Sequence, residues 1–504
     1  MLAVGLPTAG MLLSLALGGR LAGRTAQFLL PAGLGLAFGI VAGVWRTGDS
    51  LAYFLGGWAP PLGLALRADG LSAAMLVTTA IVVCATGLYA RAAFRIPPGI
   101  SEARAPLVFW VLLMAVWAAL NLVFLGDDLF NLYVALELLT FAAVPLVCLD
   151  GRAETLSAAL ALPALRPLRV GALSARRSAA LWRLWHTRHR PAVQPCSSRT
   201  RCFCRRRSHD GGAAREDRAF PAAFVAAASP RGRAARGQCG ALGSGGQRFF
   251  FSGCPALVRC HARASEPSRT QILSTLGAGA ILVGSVLALR QARLKLLIAY
   301  STIAQIGYLF LMFPVAGGSA SPQFGSNLAL TGGFLQAMSH AFAKAAMFMS
   351  AGLMAEAVGH DRIAELRGVA QMLPVTVFAF GMAALSLIGL PPSGGFVAKW
   401  LLLTAVITAG QWWWALVMLV GGLLAGGYMF RVLARALGEA AEPLIPRTPV
   451  PRSRELIALA LALCSVLLGL LPLRAFDLLQ IGRQHASPVA CSERHTISTT
   501  GHWY

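Results

Sequence analysis

Twelve apolar runs, at residues 2–17, 26–44, 71–88, 107–125, 129–149, 272–289, 297–314, 328–354, 374–390, 395–409, 412–433 and 456–471, constrain the fold of this chain more than any other feature. A helix of about 20 apolar residues crosses the hydrocarbon of a bilayer, where every backbone amide and carbonyl has to find its partner inside the chain. The runs therefore predict an all-α fold, a polytopic transmembrane helix bundle. Composition agrees, because 504 residues that are 56% hydrophobic and 13% charged are too apolar for a soluble protein. Met1-Leu2-Ala3-Val4 places no basic residue ahead of the first run, which reads as a first span and not as a cleaved signal. Arg20 and Arg24 fall in the first loop, and Arg91, Arg95 and Arg104 in the third. The second balances Arg46 and Arg67 with Asp49 and Asp69, and the fourth holds Asp127 and Asp128. By the positive-inside rule, loops one and three face the cytoplasm and the N-terminus lies outside.

Two of the runs meet in Ser386-Leu-Ile-Gly-Leu-Pro-Pro-Ser-Gly-Gly-Phe-Val-Ala-Lys399. Proline removes an amide donor and glycine loosens the backbone, so no helix passes unbroken through Pro391, Pro392, Gly394 and Gly395. In lipid such a break persists only where protein or trapped water satisfies the freed carbonyls, and broken membrane helices line ion or substrate paths. Lys399, one turn past the break, supports that reading. The alternative is a turn between two ordinary helices, with the lysine at the membrane surface.

Lysine is scarce enough here to be informative. Lys295, Lys344 and Lys399 are the only lysines among 44 basic residues, in a composition whose Ala, Gly, Leu and Arg bias suggests a GC-rich coding sequence. Arginine keeps its proton at any accessible pH, whereas a desolvated lysine can release one. Lys344 and Lys399 lie inside apolar runs, where a proton relay needs such a group. His340 precedes Lys344 by four residues and so shares its helix face. An imidazole stacked over an amine is a poor packing motif and a reasonable proton wire. Glu137 sits in the middle of the fifth run, where a carboxylate costs on the order of 3 kcal/mol and should face the bundle interior and a cationic partner. Ser301, Thr302 and Gln305 lie on or near one helical face, where small polar residues pack helices together or hold water. Packing alone accounts for any single one of them.

Residues 151–270 read like another protein. They hold 22 arginines and 5 acidic residues, +17 of the net +24, with six of the ten cysteines and no Lys, Ile, Met, Asn or Tyr. Three readings compete: a basic nucleic-acid-binding insert, a cysteine-rich metal site, or sequence that does not belong in this frame. Arg201-Cys-Phe-Cys-Arg-Arg-Arg207 lacks paired metal-ligand spacings, and no aromatic-and-basic alternation suggests a stacking platform.

Four stretches, at residues 131–146, 294–308, 339–348 and 385–403, resemble the antiporter-like proton-translocating subunits of complex I, a family shared with Mrp cation–proton antiporters and membrane-bound hydrogenases. The similarity covers about three quarters of the chain. The resemblance implies fourteen transmembrane helices in two inverted repeats, some discontinuous, with a mid-membrane path of charged residues. It assigns that proton path to Glu137 on the fifth helix, Lys295 near the start of the run that holds Tyr300, His340 and Lys344 as the central relay, and Lys399 as the exit residue on the broken twelfth helix. The family's lysine on the broken seventh helix, partner of the glutamate, has no match in this sequence.

The expected organisation is transmembrane helices 1–5 over residues 1–150, an aberrant segment at 151–270, the C-terminal helices over 271–480 and a polar tail at 481–504. With no metal, flavin or dinucleotide motif, no cofactor and no redox centre are expected, and any oxidoreductase activity belongs to the whole complex. Expected partners are other membrane subunits, lipid, and protons or Na+ as cargo, with no nucleic acid, in a bacterial inner membrane. A stand-alone secondary transporter using the same broken-helix physics is the alternative. So is a non-functional product of a frame-shifted gene. Shifting a GC-rich gene by one base yields Arg, Ala, Gly, Ser, Pro and Cys, and allowed codons for residues 237–251, read one base later, give Ala-Ser-Ala-Ala-Leu-Ser-Ala-Leu-Val-Val-Lys-Gly-Ser-Phe-Phe. That string resembles the missing seventh helix, and its lysine straddles the codons of Gln247 and Arg248. Plus-one strings from 180–190 and 219–233 precede it in the family's order.

Overall fold

The computed structural model describes residues 1–57, 64–93, 104–127, 129–150, 267–316, 323–439, 448–471 and 473–482. Residues 151–266 of the Arg-rich stretch, expected to be frame-shifted and disordered, and the tail from 483 lie outside them. Long helices occupy the twelve predicted positions. The N-terminal five are α1 (Leu2–Leu17), α2 (Gly19–Thr47), α3 (Gly70–Ala93), α4 (Arg104–Leu125) and α5 (Leu129–Val147). The others are α6 (Pro267–Arg290), α7 (Leu294–Phe310), α8 (Gln323–Val358), α9 (Pro374–Ile388), α10 (Gly394–Thr408), α11 (Trp412–Leu437) and α12 (Arg452–Leu467). Several outrun their apolar runs, because a helix continues through polar residues until a stop signal ends it. One departure from an all-helical chain is a small antiparallel sheet, β1 (Leu51–Phe54) on β2 (Ala65–Ala68), paired Leu51 with Ala68 through Phe54 with Ala65. It occupies what reads in the sequence as a loop.

Among the described residues seven helices, α2, α3, α4, α6, α7, α8 and α11, are long and apolar enough to cross a membrane. α9 and α10 have 15 residues each, about 22 Å of helix against roughly 30 Å of hydrocarbon. Together they make one broken crossing. α9 begins where Thr376 meets Glu455 at the start of α12, whereas the chain leaves α10 at Gln411, which meets Gln271 near the start of α6.

Hydrogen bonds gather the loops at two ends. At one, Leu294 N donates to Asp361 O, Ile363 N to Ala292 O and Gly368 N to Gly438 O. Tyr89 brings the end of α3, with Arg91, to the same place, so the third loop shares an end with Arg290, Arg293, Arg362 and Arg435. Among the described residues these basic side chains thus share one end of the bundle, as the positive-inside rule requires of a single orientation. The sequence reading begins the last span at Leu456, but the helix starts at Arg452 and buries Arg454 and Glu455. Both find polar partners, as burial demands, Arg454 in an ion pair and Glu455 in hydrogen bonds to a helix start. Arg454 Nη2 donates to Glu356 Oε2 at 3.0 Å and to Tyr89 Oη at 2.9 Å, joining α12 to α8 and α3. Glu455 Oε2 accepts from Thr376 N at 3.2 Å and Oγ1 at 2.8 Å, capping the start of α9.

Candidate functional site

The site follows from two missing amides. In a continuous helix the carbonyls of Leu387 and Ile388 would accept from the amides four residues on. Those residues are Pro391 and Pro392, which have none. Gly389, at φ +88°, turns the chain out of α9, and its missing Cβ leaves space for Lys399, whose Cδ would lie 2.8 Å from it. Gly395 lets the start of α10 pass against the Ser386 carbonyl, into which any Cβ would run. Ser393 caps α10, accepting from Phe396 N at 3.2 Å. From the second turn of α10, Lys399 Nζ reaches back and donates to Leu387 O at 2.7 Å and Ile388 O at 2.9 Å. Its other neighbour is the Tyr308 ring, 4.6 Å to the centroid. The ammonium thus rests on two orphaned carbonyls at a helix C-terminus and on a π face, all favourable to a cation.

Lys344 is fully buried on α8. Its Nζ donates to Ile298 O at 2.8 Å and to Ser301 Oγ, while Ser301 in turn donates to Ile298 O at 2.8 Å. His340, one turn earlier and 2% exposed, leaves both ring nitrogens without a hydrogen bond among the described residues. Near the break, Ser339, Ser386 and Ser465 join α8, α9 and α12 through hydroxyl contacts of 2.7–3.1 Å.

The structure brings His340, Lys344 and Lys399 around α7. Glu137 is half-buried on α5, and Lys295 is half-buried in the first turn of α7, one turn ahead of the Ile298 carbonyl that holds Lys344. Among the described residues, no hydrogen bond joins either of them to the three. Sequence reasoning left Ser301 and Gln305 as packing residues, yet Ser301 holds Lys344 and Gln305 holds a carbonyl of the Lys399 cradle, donating to Leu387 O at 2.9 Å. The available signal was spacing: Ser301, Gln305 and Tyr308 stand at i, i+4 and i+7, one stripe of α7. Thr302 returns its hydroxyl to Ile298 O of its own helix. Among the described residues no three His, Cys, Asp or Glu side chains gather as a metal site.

Replacing Pro391 by Ala restores an amide that competes with Lys399 for the Leu387 carbonyl. Translocation through the assembled protein should fall roughly fivefold, the factor that about 1 kcal/mol of net hydrogen bonding represents. A wild-type rate in that variant would show that the missing amide is immaterial.

The family described as NADH:quinone oxidoreductase/Mrp antiporter, transmembrane, matches residues 253–425, which contain His340, Lys344, the break and Lys399. NADH-quinone oxidoreductase subunit N of Desulforudis audaxviator (strain MP104C) is 30% identical over 498 residues, covering 88% of this chain and 90% of that protein. The chain belongs to this family of antiporter-like membrane subunits. Solved structures share the fold of this family member. A chain of the Mrp complex from Dietzia sp. DQ12-45-1b superposes with a TM-score of 0.71 at 22% identity, covering 95% of this chain and 96% of that one. A chain of respiratory complex I from Thermus thermophilus with bound NADH gives 0.69 at 19% identity, covering 96% and 98%.

Proposed function

We propose that the chain is a proton-translocating membrane subunit of a complex of the complex I or Mrp antiporter kind, and that His340, Lys344 and Lys399 carry protons within it. The observation that carries this reading is a pair of lysines on adjoining helices, Lys344 fully buried and Lys399 half-buried, each held by neutral acceptors and, among the described residues, neither by a carboxylate. Such an amine can lose its proton without leaving a buried anion unpaired. Glu137 and Lys295 extend the path in the directions the family resemblance implies. Protons are the cargo, with Na+ the counter-ion if the complex is an antiporter. Redox chemistry belongs to other subunits, and the assembly sits in a bacterial inner membrane.

The test is proton uptake by vesicles containing the intact complex. His340→Ala and Lys344→Ala should each reduce it, and the double variant should lose less than the sum of the two, because groups in one relay are non-additive. Strict additivity would count against a shared wire.

A second reading concerns the segment expected to be aberrant. We propose that the codons between Asp150 and Gln271 are written out of frame. Seven long helices, the α9–α10 pair counted as one, and the shorter α1, α5 and α12 give eleven crossings among the described residues, which leaves three of the family's implied fourteen for this interval. The family match begins at residue 253, which on this reading puts the downstream frame error near that codon, ahead of the border at 270 expected from composition.

A further inference from the structure

A chain of carboxamides between the two lysines has no part in the proton path described above. Gln336, on α8 one turn before His340, is buried and donates from Nε2 to Gln305 Oε1 at 2.9 Å. Gln305, buried on α7, donates from Nε2 to Leu387 O at 2.9 Å. That oxygen also accepts from Lys399 Nζ. A carbonyl only accepts, so Gln305 has to present its nitrogen there, and its oxygen then has to face the nitrogen of Gln336. Both amide orientations are set by this logic. Gln336 Oε1 has no hydrogen-bond partner among the described residues, and the ring of His340 follows one turn later on the same face. A carboxamide does not titrate, so this chain polarises and holds but passes no net proton. Its second donor on Leu387 O draws on the lone pairs that Lys399 uses.

We propose that Gln305, held by Gln336, is the positioning residue for Lys399: it shares the Leu387 carbonyl with the lysine amine and ties that amine's resting place to the helix carrying His340 and Lys344. The inference rests on the reading of Lys399 as a proton-exchanging group. The lysine exchanges its proton when Nζ leaves the carbonyls and returns to them, so the single competing donor sets the strength of the hold: with none the amine is held too tightly, and with a second, as in Pro391→Ala, too weakly. A Gln305→Glu change removes the donor at constant size and puts an acceptor in reach of Lys399. Gln305→Met keeps the length and removes both donor and acceptor.

The experiment measures proton uptake across a range of pH by vesicles containing the complex assembled with the full chain. Gln305→Glu and Gln305→Met should assemble at normal yield and lose about tenfold in rate, the scale of a charge-assisted hydrogen bond. They should also displace the pH profile, and Gln305→Asn, which retains a carboxamide donor, should recover part of the loss. Gln336→Met added to Gln305→Met should cost little more. A wild-type rate in Gln305→Glu overturns the proposal, as does a lowered rate with an unmoved profile, the signature of lost packing alone. If Gln305→Glu does not assemble, Gln305→Met decides by the same criteria. Lys399→Ala is run alongside. If it translocates normally the proposed function fails, whereas if it is inactive and Gln305→Glu is not, only the positioning role falls.

Discussion

Lys399→Arg should depress proton translocation nearly as far as Lys399→Ala, by roughly a hundredfold, the lower bound for loss of a positioned proton-transfer group. Arginine keeps the charge and brings more donors to the Leu387 and Ile388 carbonyls, so the cradle stays occupied. It does not let go of its proton. The longer, planar guanidinium also has to fit beside Gly389, where the lysine stem is already close. Alanine leaves both carbonyls without their cation, and Ile388 O, unlike Leu387 O which keeps Gln305, then has no donor at all, so assembly should fall as well, because an acceptor left without a donor costs about 1–3 kcal/mol. The informative comparison is therefore rate per assembled complex, measured as vesicle acidification. An arginine variant at wild-type rate would remove Lys399 from the list of exchanging groups.

The second large effect lies in the codons from Asp150 to Gln271. Read one base later between the two proposed errors, they should encode apolar helices, one of which carries a lysine across the present Gln247 and Arg248 codons. A chain synthesised with that frame should insert and assemble, and the chain as written should do neither. The reason is energetic: 22 arginines in the interval replace membrane helices, at about 2.5–3.5 kcal/mol for each one forced to mid-bilayer. Nucleotide sequencing across the interval decides the first half of the prediction. Peptides matching the written segment, recovered from an active complex, would refute the second. The restored chain is also the background in which all the variants described above, at Gln305, Gln336, His340, Lys344, Pro391 and Lys399, are to be compared.

The helices were legible in the sequence because membrane insertion depends on local composition. A run of apolar residues must satisfy its own backbone wherever it sits, so α1 matches the predicted 2–17 and α9 and α10 begin and end within two residues of the predicted 374–390 and 395–409. The break was legible for the same reason, since Pro391 and Pro392 lack amides in any fold. Scarcity of lysine pointed to Lys344 and Lys399, and four-residue spacing placed His340 beside the first.

What each lysine touches was not legible. That Lys399 turns back onto Leu387 and Ile388 depends on the path of the chain between α9 and α10, and the orphaned acceptors are backbone atoms that no residue letter encodes. Ser301 and Gln305 look alike as packing residues until α8 and α9 are set against α7. Arg454 and Glu455 lie just ahead of the apolar run that begins at Leu456, and nothing in the run marks them as buried. Only the convergence of α3, α8 and α12 on Arg454, and of α9 on Glu455, gives these two buried charges their partners. Apolar length and missing amides are properties of a segment and are settled by the sequence alone, whereas the partner of a buried polar group is a property of several segments at once, and tertiary packing decides it.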